Sequence, residues 1–171
     1  MKNNIVLIGM MGSGKTTVAK ELSKLIPEYS LSDIDEEIEK STGKKISDIF
    51  LKYGEAHFRN LEKDKIEKIS QKQNQIISLG GGAFENEENR TIILNSSITI
   101  YLKTSPQEIF SRVKNEFHRP LLQKNCTTER ITELIKKREP NYLKADIIIT
   151  TDNKKPEDIA QEILGVIKCK I

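Results

Sequence analysis

Five short runs of β-branched and aliphatic residues recur along the chain, each bounded by polar residues or glycine. They lie at Ile5–Ile8, Tyr29–Ser32, Ile76–Leu79, Ile98–Leu102 and Ile147–Thr150, the second being the weakest. Continuous apolar runs of this length are typical of strands buried on both faces of a sheet. The pattern therefore predicts five buried strands.

The segments between these runs carry apolar residues at helical spacing. Helices are predicted at Thr16–Leu25, Ile34–Lys40, Ile46–Tyr53, Glu55–Ile69, Glu87–Leu94, Pro106–Val113, Arg130–Lys137 and Pro156–Ile167. Gly43 and Gly54 are predicted to end the helices before them. Buried strands that alternate with helices predict an α/β fold, with a parallel sheet between two helical layers. At 171 residues the chain has the size of one domain, covering 1–171.

Composition and charge exclude several function classes. A net charge of +3 and an aromatic content of 5% give no basic stripe with stacking aromatics, so nucleic-acid binding is not expected. No apolar run approaches the ~18 residues that span a bilayer, so no membrane association is expected. Cys126 and Cys169 lack metal or disulfide spacing, which favours a reducing cytoplasm. No apolar stripe indicates a dimer, so a monomer is expected.

The clearest chemical motif is the segment 9–16, GMMGSGKT, which matches the phosphate-binding pattern G-x-x-x-x-G-K-[ST] between a predicted strand and a predicted helix. Glycines let backbone N–H groups point at phosphates, and the helix N-terminus adds partial positive charge. Lys15 is predicted to bridge the β- and γ-phosphates, and Thr16 to bind Mg²⁺. The predicted ATP-binding residues here are Gly12, Ser13, Gly14, Lys15, Thr16 and Thr17.

Two carboxylates, Asp33 and Asp35, follow the second strand at the edge where ligands of doubly wound sheets gather. We assign Asp33 to the magnesium shell and Asp35 to an acceptor hydroxyl, as orienter or general base. Acidic residues also favour helix starts, so the pair taken alone fits a helix cap equally well.

Further along the chain, arginines and glycines indicate an acceptor site. Arg59 and Glu62 are spaced to pair on one helix, and Arg138 supplies a second guanidinium fork for a carboxylate or phosphate. Three glycines at 80–82 predict close approach of backbone to a ligand. The polar stretch 115–128 is the best candidate for a mobile lid.

Together these residues resemble the shikimate kinases, single-domain enzymes of aromatic amino acid biosynthesis, and the resemblance runs from Ile5 to near Ile167. Six motifs match in family order: the loop at 9–16, Asp33-x-Asp35, Gly54-Glu55 leading to Phe58-Arg59-x-x-Glu62, Gly80–Gly82, Arg119-Pro120-Leu121-Leu122 and Arg138-x-Pro140-x-Tyr142. Departures are small: Ala19 stands where Gly is frequent, and Ile34 where a small polar residue is common.

The resemblance implies ATP-dependent phosphorylation of the 3-hydroxyl of shikimate on a five-stranded, nucleoside-monophosphate-kinase-like P-loop fold. It implies a substrate-binding segment at about 33–62 and a lid at about 115–128. Arg59 and Arg138 would grip the shikimate carboxylate. Its hydroxyls would contact Asp35 and the backbone of Gly80, Gly81 and Gly82.

The resemblance also extends the nucleotide site. Arg119 would move in with the lid to meet the γ-phosphate, so the implied catalytic residues are Lys15, Asp35 and Arg119. Arg112 is similar to the family's adenine-side arginine, and Lys154 lies in the loop that would flank the base.

Other functions remain open from the residues alone. A nucleoside monophosphate kinase would share the loop and lid, but Asp35 would repel its phosphate-bearing acceptor. A gluconate-type kinase has similar acceptor chemistry and is disfavoured by the order of the six motifs. A non-enzymatic relative would be expected to lack Lys15, Asp35 or Arg119, and all three are present.

Overall fold

The computed structural model describes residues 2–113 and 127–168. Most of the predicted lid, including Arg119, lies outside the described residues, as do both cysteines. Thr127 and Thr128, the end of the predicted lid, form the start of a helix, with the Thr127 side chain as its N-cap.

All five predicted strands are present, and they form one parallel sheet. They are β1 (Asn4–Ile8), β2 (Ser30–Asp33), β3 (Gln75–Ser78), β4 (Ser97–Lys103) and β5 (Ile147–Thr150), in the order β2-β3-β1-β4-β5. β1 lies at the centre, with β3 and β4 beside it. The pairing sets Ser78 opposite both Leu7 and Asp33, so the loops after β1, β2 and β3 meet at one edge.

Helices cover both faces of this sheet and complete the predicted three layers. They are α1 (Lys15–Leu25), α2 (Ile34–Thr42), α3 (Ile46–Ser70), α4 (Glu87–Ser96), α5 (Pro106–Val113), α6 (Thr128–Tyr142) and α7 (Pro156–Lys168). One buried cluster packs α1 and α7 against the sheet, and a second packs α2 to α6 against its other face. Across the two described ranges, no helix has the length and apolar character that crossing a membrane requires.

The two glycines predicted to end helices behave as expected. Gly43 caps α2 in the left-handed region, with φ of 64°. Gly54 has φ of 80° and ψ of 171°, which breaks α3 into the two predicted segments. Arg59 and Glu62 lie in the second half of α3, after this break, and their side chains lie beside Gly82 and Gly80.

The predicted end of α6 at Lys137 is wrong, because the helix continues through Pro140 to Tyr142. Proline lacks one backbone donor but does not end the helix here, since Arg138 and Tyr142 anchor the last turn to the carbonyl of Gly81. A short 3₁₀ turn at Ala83–Glu85 was also not predicted from the sequence.

Candidate active site

The loop after β1 is shaped for phosphate. Gly12 has φ of +76°, and a Cβ there would lie 2.5 Å from Cγ1 of Val113, so α5 packs directly on the loop. α1 begins at Lys15, and its N-cap Gly14 has no side chain to accept the first-turn N–H groups. Those donors and the helix dipole are the elements that bind phosphate at helix N-termini. Lys15 is 7% exposed and donates to the carbonyls of Gly9 and Met10.

Hard oxygen donors lie beside this loop. The Thr16 hydroxyl donates to Oδ2 of Asp33 at 2.7 Å. Oγ of Ser78 lies 3.3 Å from the same Thr16 hydroxyl. The other oxygen of Asp33 accepts from the backbone N–H groups of Asp35 and Glu36 and caps α2. A hydroxyl and one carboxylate suit Mg²⁺, which usually takes its remaining ligands from water and phosphate. Within residues 2–113 and 127–168 no cluster of three acidic, histidine or cysteine side chains offers a dedicated metal cage.

Two cavities adjoin at this edge of the sheet. The larger has a volume of about 470 Å³ and is lined by the phosphate loop, Asp33, Ser78 and Arg112. The smaller has a volume of about 130 Å³ and is lined by Arg59, Glu62 and Arg138, with Phe50 and Phe58 on its apolar side. Five residues line both cavities: Met11, Asp35, Ile46, Gly80 and Gly81. The shared wall places a carboxylate between a phosphate cradle and a cationic pocket.

The first arginine of the smaller cavity is held by two carboxylates. Nη1 of Arg59 lies 2.8 Å from Oε2 of Glu62, and Nη2 lies 3.1 Å from Oε1 of Glu55. Glu62 is fully buried, and burial raises its pKa to about 7 although Arg59 pulls the pKa down. Nearby Asp35 adds a smaller upward effect on the same pKa. Glu62 therefore titrates near neutral pH.

The second arginine, Arg138, projects from α6 and is 8% exposed. Its Nη1 donates to the carbonyl of Gly81 at 3.1 Å and lies 3.8 Å from Sδ of Met10. Met10 belongs to the phosphate loop, so Arg138 contacts that loop while lining the smaller cavity.

The three glycines after β3 make room for these groups. A Cβ on Gly80 would lie 3.1 Å from Oε1 of Glu62 and 3.3 Å from Oδ1 of Asp35. A Cβ on Gly82 would lie 2.7 Å from Nη2 of Arg59. The glycines form the floor on which both arginines and Asp35 converge, and the sequence prediction that this backbone also approaches a ligand stays a prediction.

Comparison with known proteins decides the family. The family model described as shikimate kinase matches residues 11–168. A shikimate kinase of Persephonella marina is 45% identical over 165 residues, covering 96% of this chain and 99% of the relative. One from Thermodesulfovibrio yellowstonii is 44% identical over 161 residues, covering 94% of this chain and 92% of the relative. This chain belongs to the shikimate kinase family.

A solved structure supports the same assignment. The shikimate kinase from Acinetobacter baumannii in complex with shikimate superposes with a TM-score of 0.93 at 36% identity, covering 98% of this chain and 94% of that one. The shikimate kinase fold expected from the six motifs is therefore confirmed.

The outer residues implied by the family resemblance lie at different distances from the cleft. Arg112 pairs with Glu108 at 2.8 Å and reaches the carbonyl of Gly12 at 3.5 Å, so it lies at the rim of the larger cavity. Lys154 pairs with Glu162 at 2.6 Å and is not among the residues that line that cavity.

Sequence reasoning missed several residues of this shikimate kinase site. Ser78 contacts Thr16, and the only sequence signal was its place at the end of a strand that lacks the usual acidic residue. Glu55 was named only as part of a motif, and its pairing with Arg59 was missed although its spacing of four residues could have suggested it. Met11, in the loop after β1, and Ile46, the first residue of α3, line both cavities, and an apolar side chain at either place gives no sign of such a role in the sequence.

Proposed function

We propose that this chain transfers the γ-phosphate of ATP to the 3-hydroxyl of shikimate, giving shikimate 3-phosphate and ADP. The observation that carries the proposal is the shared wall of the two cavities, in which Asp35 lies between the phosphate loop and the two-arginine pocket. Membership of the shikimate kinase family supports it, as does the likeness to a relative solved with shikimate.

On the donor side, N–H groups of Gly12, Ser13 and Gly14 and the side chain of Lys15 bind the phosphates. Lys15 leaves the carbonyls of Gly9 and Met10 to do so. Thr16 and Asp33 would hold Mg²⁺, which neutralises charge on the β- and γ-phosphates. Thr17 and Arg112 line the larger cavity and complete the proposed ATP site, with Arg112 beside the adenine. Lys154 lies outside that lining and is proposed on the family resemblance alone, as part of the loop that flanks the base.

On the acceptor side, Arg59 and Arg138 bind the carboxylate of shikimate, with Arg59 beside Gly82 and Arg138 beside Gly81. Both guanidiniums are already oriented, Arg59 by Glu55 and Glu62 and Arg138 by Gly81, so little side-chain entropy is lost on binding. Asp35 accepts a hydrogen bond from the 3-hydroxyl of shikimate and so orients the hydroxyl oxygen toward the γ-phosphate.

Arg119 is proposed to complete the catalytic set by meeting the γ-phosphate as charge builds on its oxygens. We also propose that the protein acts as a cytoplasmic monomer on small molecules, without nucleic acid. Two widely spaced cysteines support the cytoplasmic setting, and a net charge of only +3 with 5% aromatic residues supports the absence of nucleic acid.

Steady-state kinetics of arginine variants test the acceptor site. Arg59→Ala or Arg138→Ala removes about 1.5 to 3 kcal/mol of charge-assisted bonding, which is about a ten- to hundredfold rise in KM for shikimate. Arg130→Ala is the matched control, because Arg130 lies on the same helix as Arg138 with a 57% exposed side chain that pairs with Glu133. A KM for shikimate that stays unchanged in both pocket variants would remove the arginines from the substrate site.

A further inference from the structure

One backbone carbonyl in the glycine floor carries two side-chain hydrogen bonds. The carbonyl of Gly81 accepts from the Tyr142 hydroxyl at 2.5 Å and from Nη1 of Arg138 at 3.1 Å. The two donors are four residues apart on α6 and therefore occupy the same face of that helix. Both also lie close to Sδ of Met10, at 3.9 and 3.8 Å.

The peptide that carries this carbonyl has little rigidity of its own. It joins Gly81 to Gly82, and residues without a Cβ offer few steric barriers to rotation of the peptide plane. Because a trans peptide is planar, fixing the carbonyl of Gly81 also fixes the N–H of Gly82 on its opposite side. The Gly81–Gly82 peptide plane therefore needs a hydrogen bond from another part of the chain to keep one orientation.

Tyr142 is suited to supply that hydrogen bond. Its side chain is fully buried and its ring packs on Tyr101, with ring centroids 5.1 Å apart. Burial raises the pKa of Tyr142 to about 12, so the hydroxyl remains a proton donor at neutral pH. Arg138 is less rigid, with more rotatable bonds and a guanidinium that reaches into the cavity, so the tyrosine supplies the fixed point.

We infer that Tyr142 is a positioning residue for the acceptor: its hydroxyl fixes the Gly81 carbonyl and, through this shared acceptor, the guanidinium of Arg138. The inference rests on the proposed function, in which Arg138 binds the shikimate carboxylate. Its physical basis is that a carbonyl held from one side by tyrosine offers Arg138 a single direction for its own hydrogen bond. The guanidinium then meets the carboxylate already oriented.

The test is the Tyr142→Phe variant, which removes one oxygen and keeps the ring. Loss of a neutral hydrogen bond corresponds to a rise in KM for shikimate of roughly three- to tenfold, while KM for ATP changes by less than about twofold. Tyr101→Phe is the matched control, since it removes a hydroxyl from the same stacked pair but not from the Gly81 carbonyl. Thermal unfolding of both variants reports the structural cost of each change.

A double-mutant cycle with Arg138→Ala separates positioning from packing. If Tyr142 acts through Arg138, Tyr142→Phe raises KM for shikimate in the wild-type background and has little further effect once Arg138 is absent. An unchanged KM for shikimate in Tyr142→Phe, equal rises in both KM values, or full additivity would overturn the inference. If instead Arg138→Ala itself leaves KM for shikimate unchanged, the result contradicts the proposed role of Arg138 in binding shikimate, on which the inference about Tyr142 rests.

Discussion

The hydroxyl of Thr16 donates a 2.7 Å hydrogen bond to Oδ2 of Asp33, while Oδ1 of the same carboxylate caps α2. One side chain thus joins the start of α1 to the end of β2 and leaves a hydroxyl and a carboxylate together. The sequence left open whether Asp33 is a helix cap or a metal ligand. The cap is present in the structure, and the metal role is compatible with it.

Asp33→Asn separates these two roles. Asparagine caps helices as well as aspartate, so we expect little loss of stability, whereas losing the negative charge weakens Mg²⁺ binding. The Mg²⁺ concentration for half-maximal activity should rise about tenfold or more. Asp33→Ala is the comparison variant and should also lose about 1 kcal/mol of stability with the cap. Unaltered Mg²⁺ dependence in Asp33→Asn would leave Asp33 as a cap only.

Gly82→Ala tests the glycine floor. The new Cβ would overlap the guanidinium of Arg59, which is the end of a flexible side chain, so Arg59 moves and the fold is retained. We expect KM for shikimate to rise about tenfold, as for partial loss of one charge-assisted contact, with KM for ATP nearly constant.

The control for this change is Gly165→Ala in α7, where an added Cβ meets nothing within 4 Å. That variant should gain roughly 0.5 to 1 kcal/mol of helix stability and keep both KM values. A Gly82→Ala enzyme with wild-type KM for shikimate would show that Arg59 need not lie where the structure places it.

Glu62 should make stability depend on pH. Its pKa is raised to about 7 in the folded protein, mainly by burial, from an ordinary value of 4.5. Between these values the folded state binds more protons than the unfolded state, so the contribution of Glu62 is complete below pH 4.5 and is lost as pH rises through 7. The loss is at most about 1.4 kcal/mol per pH unit.

Denaturant unfolding of wild type and Glu62→Gln at pH 5.5, 6.5 and 8 measures this contribution. The stability of wild type relative to the variant should fall across this range, because glutamine does not titrate. Glu55→Gln is the matched control: Glu55 pairs with the same Arg59, but its side chain is 60% exposed. A wild-type minus Glu62→Gln difference that does not change with pH would contradict the raised pKa.

Arg119 lies outside the described residues, and its role stays a prediction from the family resemblance. An arginine that meets the γ-phosphate stabilises the transition state more than the bound substrates. Arg119→Ala should therefore lower kcat by roughly 10³-fold or more, with the thermal unfolding temperature unchanged. A loss of only a few-fold would remove Arg119 from the catalytic set.

The sequence predicted the three central strands closely because strands buried on both faces leave short apolar runs, as β1, β3 and β4 do. The edge strands β2 and β5 were found as well, but the expectation that they are buried on both faces was wrong, because each is partly exposed. Each predicted strand matches an observed strand with ends shifted by at most one residue. The phosphate loop could also be predicted from the sequence, since the residues that form it are consecutive. Gly54 was readable too, because a glycine between two helical patterns marks a left-handed break.

Features that depend on contacts between distant segments could not be predicted from the sequence. α6 runs past Pro140 because Tyr142 and Arg138 bond to Gly81, some sixty residues earlier in the chain. Ser78 became part of the site only when β2 and β3 paired and set it opposite Asp33. The raised pKa of Glu62 likewise requires burial that its spacing from Arg59 does not reveal.

The most direct test of the account is an ADP-release assay of the purified chain with ATP and Mg²⁺, comparing shikimate with gluconate, AMP and no acceptor. We expect ADP release that depends on shikimate, with little release under the other three conditions. Release with another acceptor only would keep the phosphate loop and reject the proposed acceptor, and no release with any acceptor would contradict the kinase activity itself.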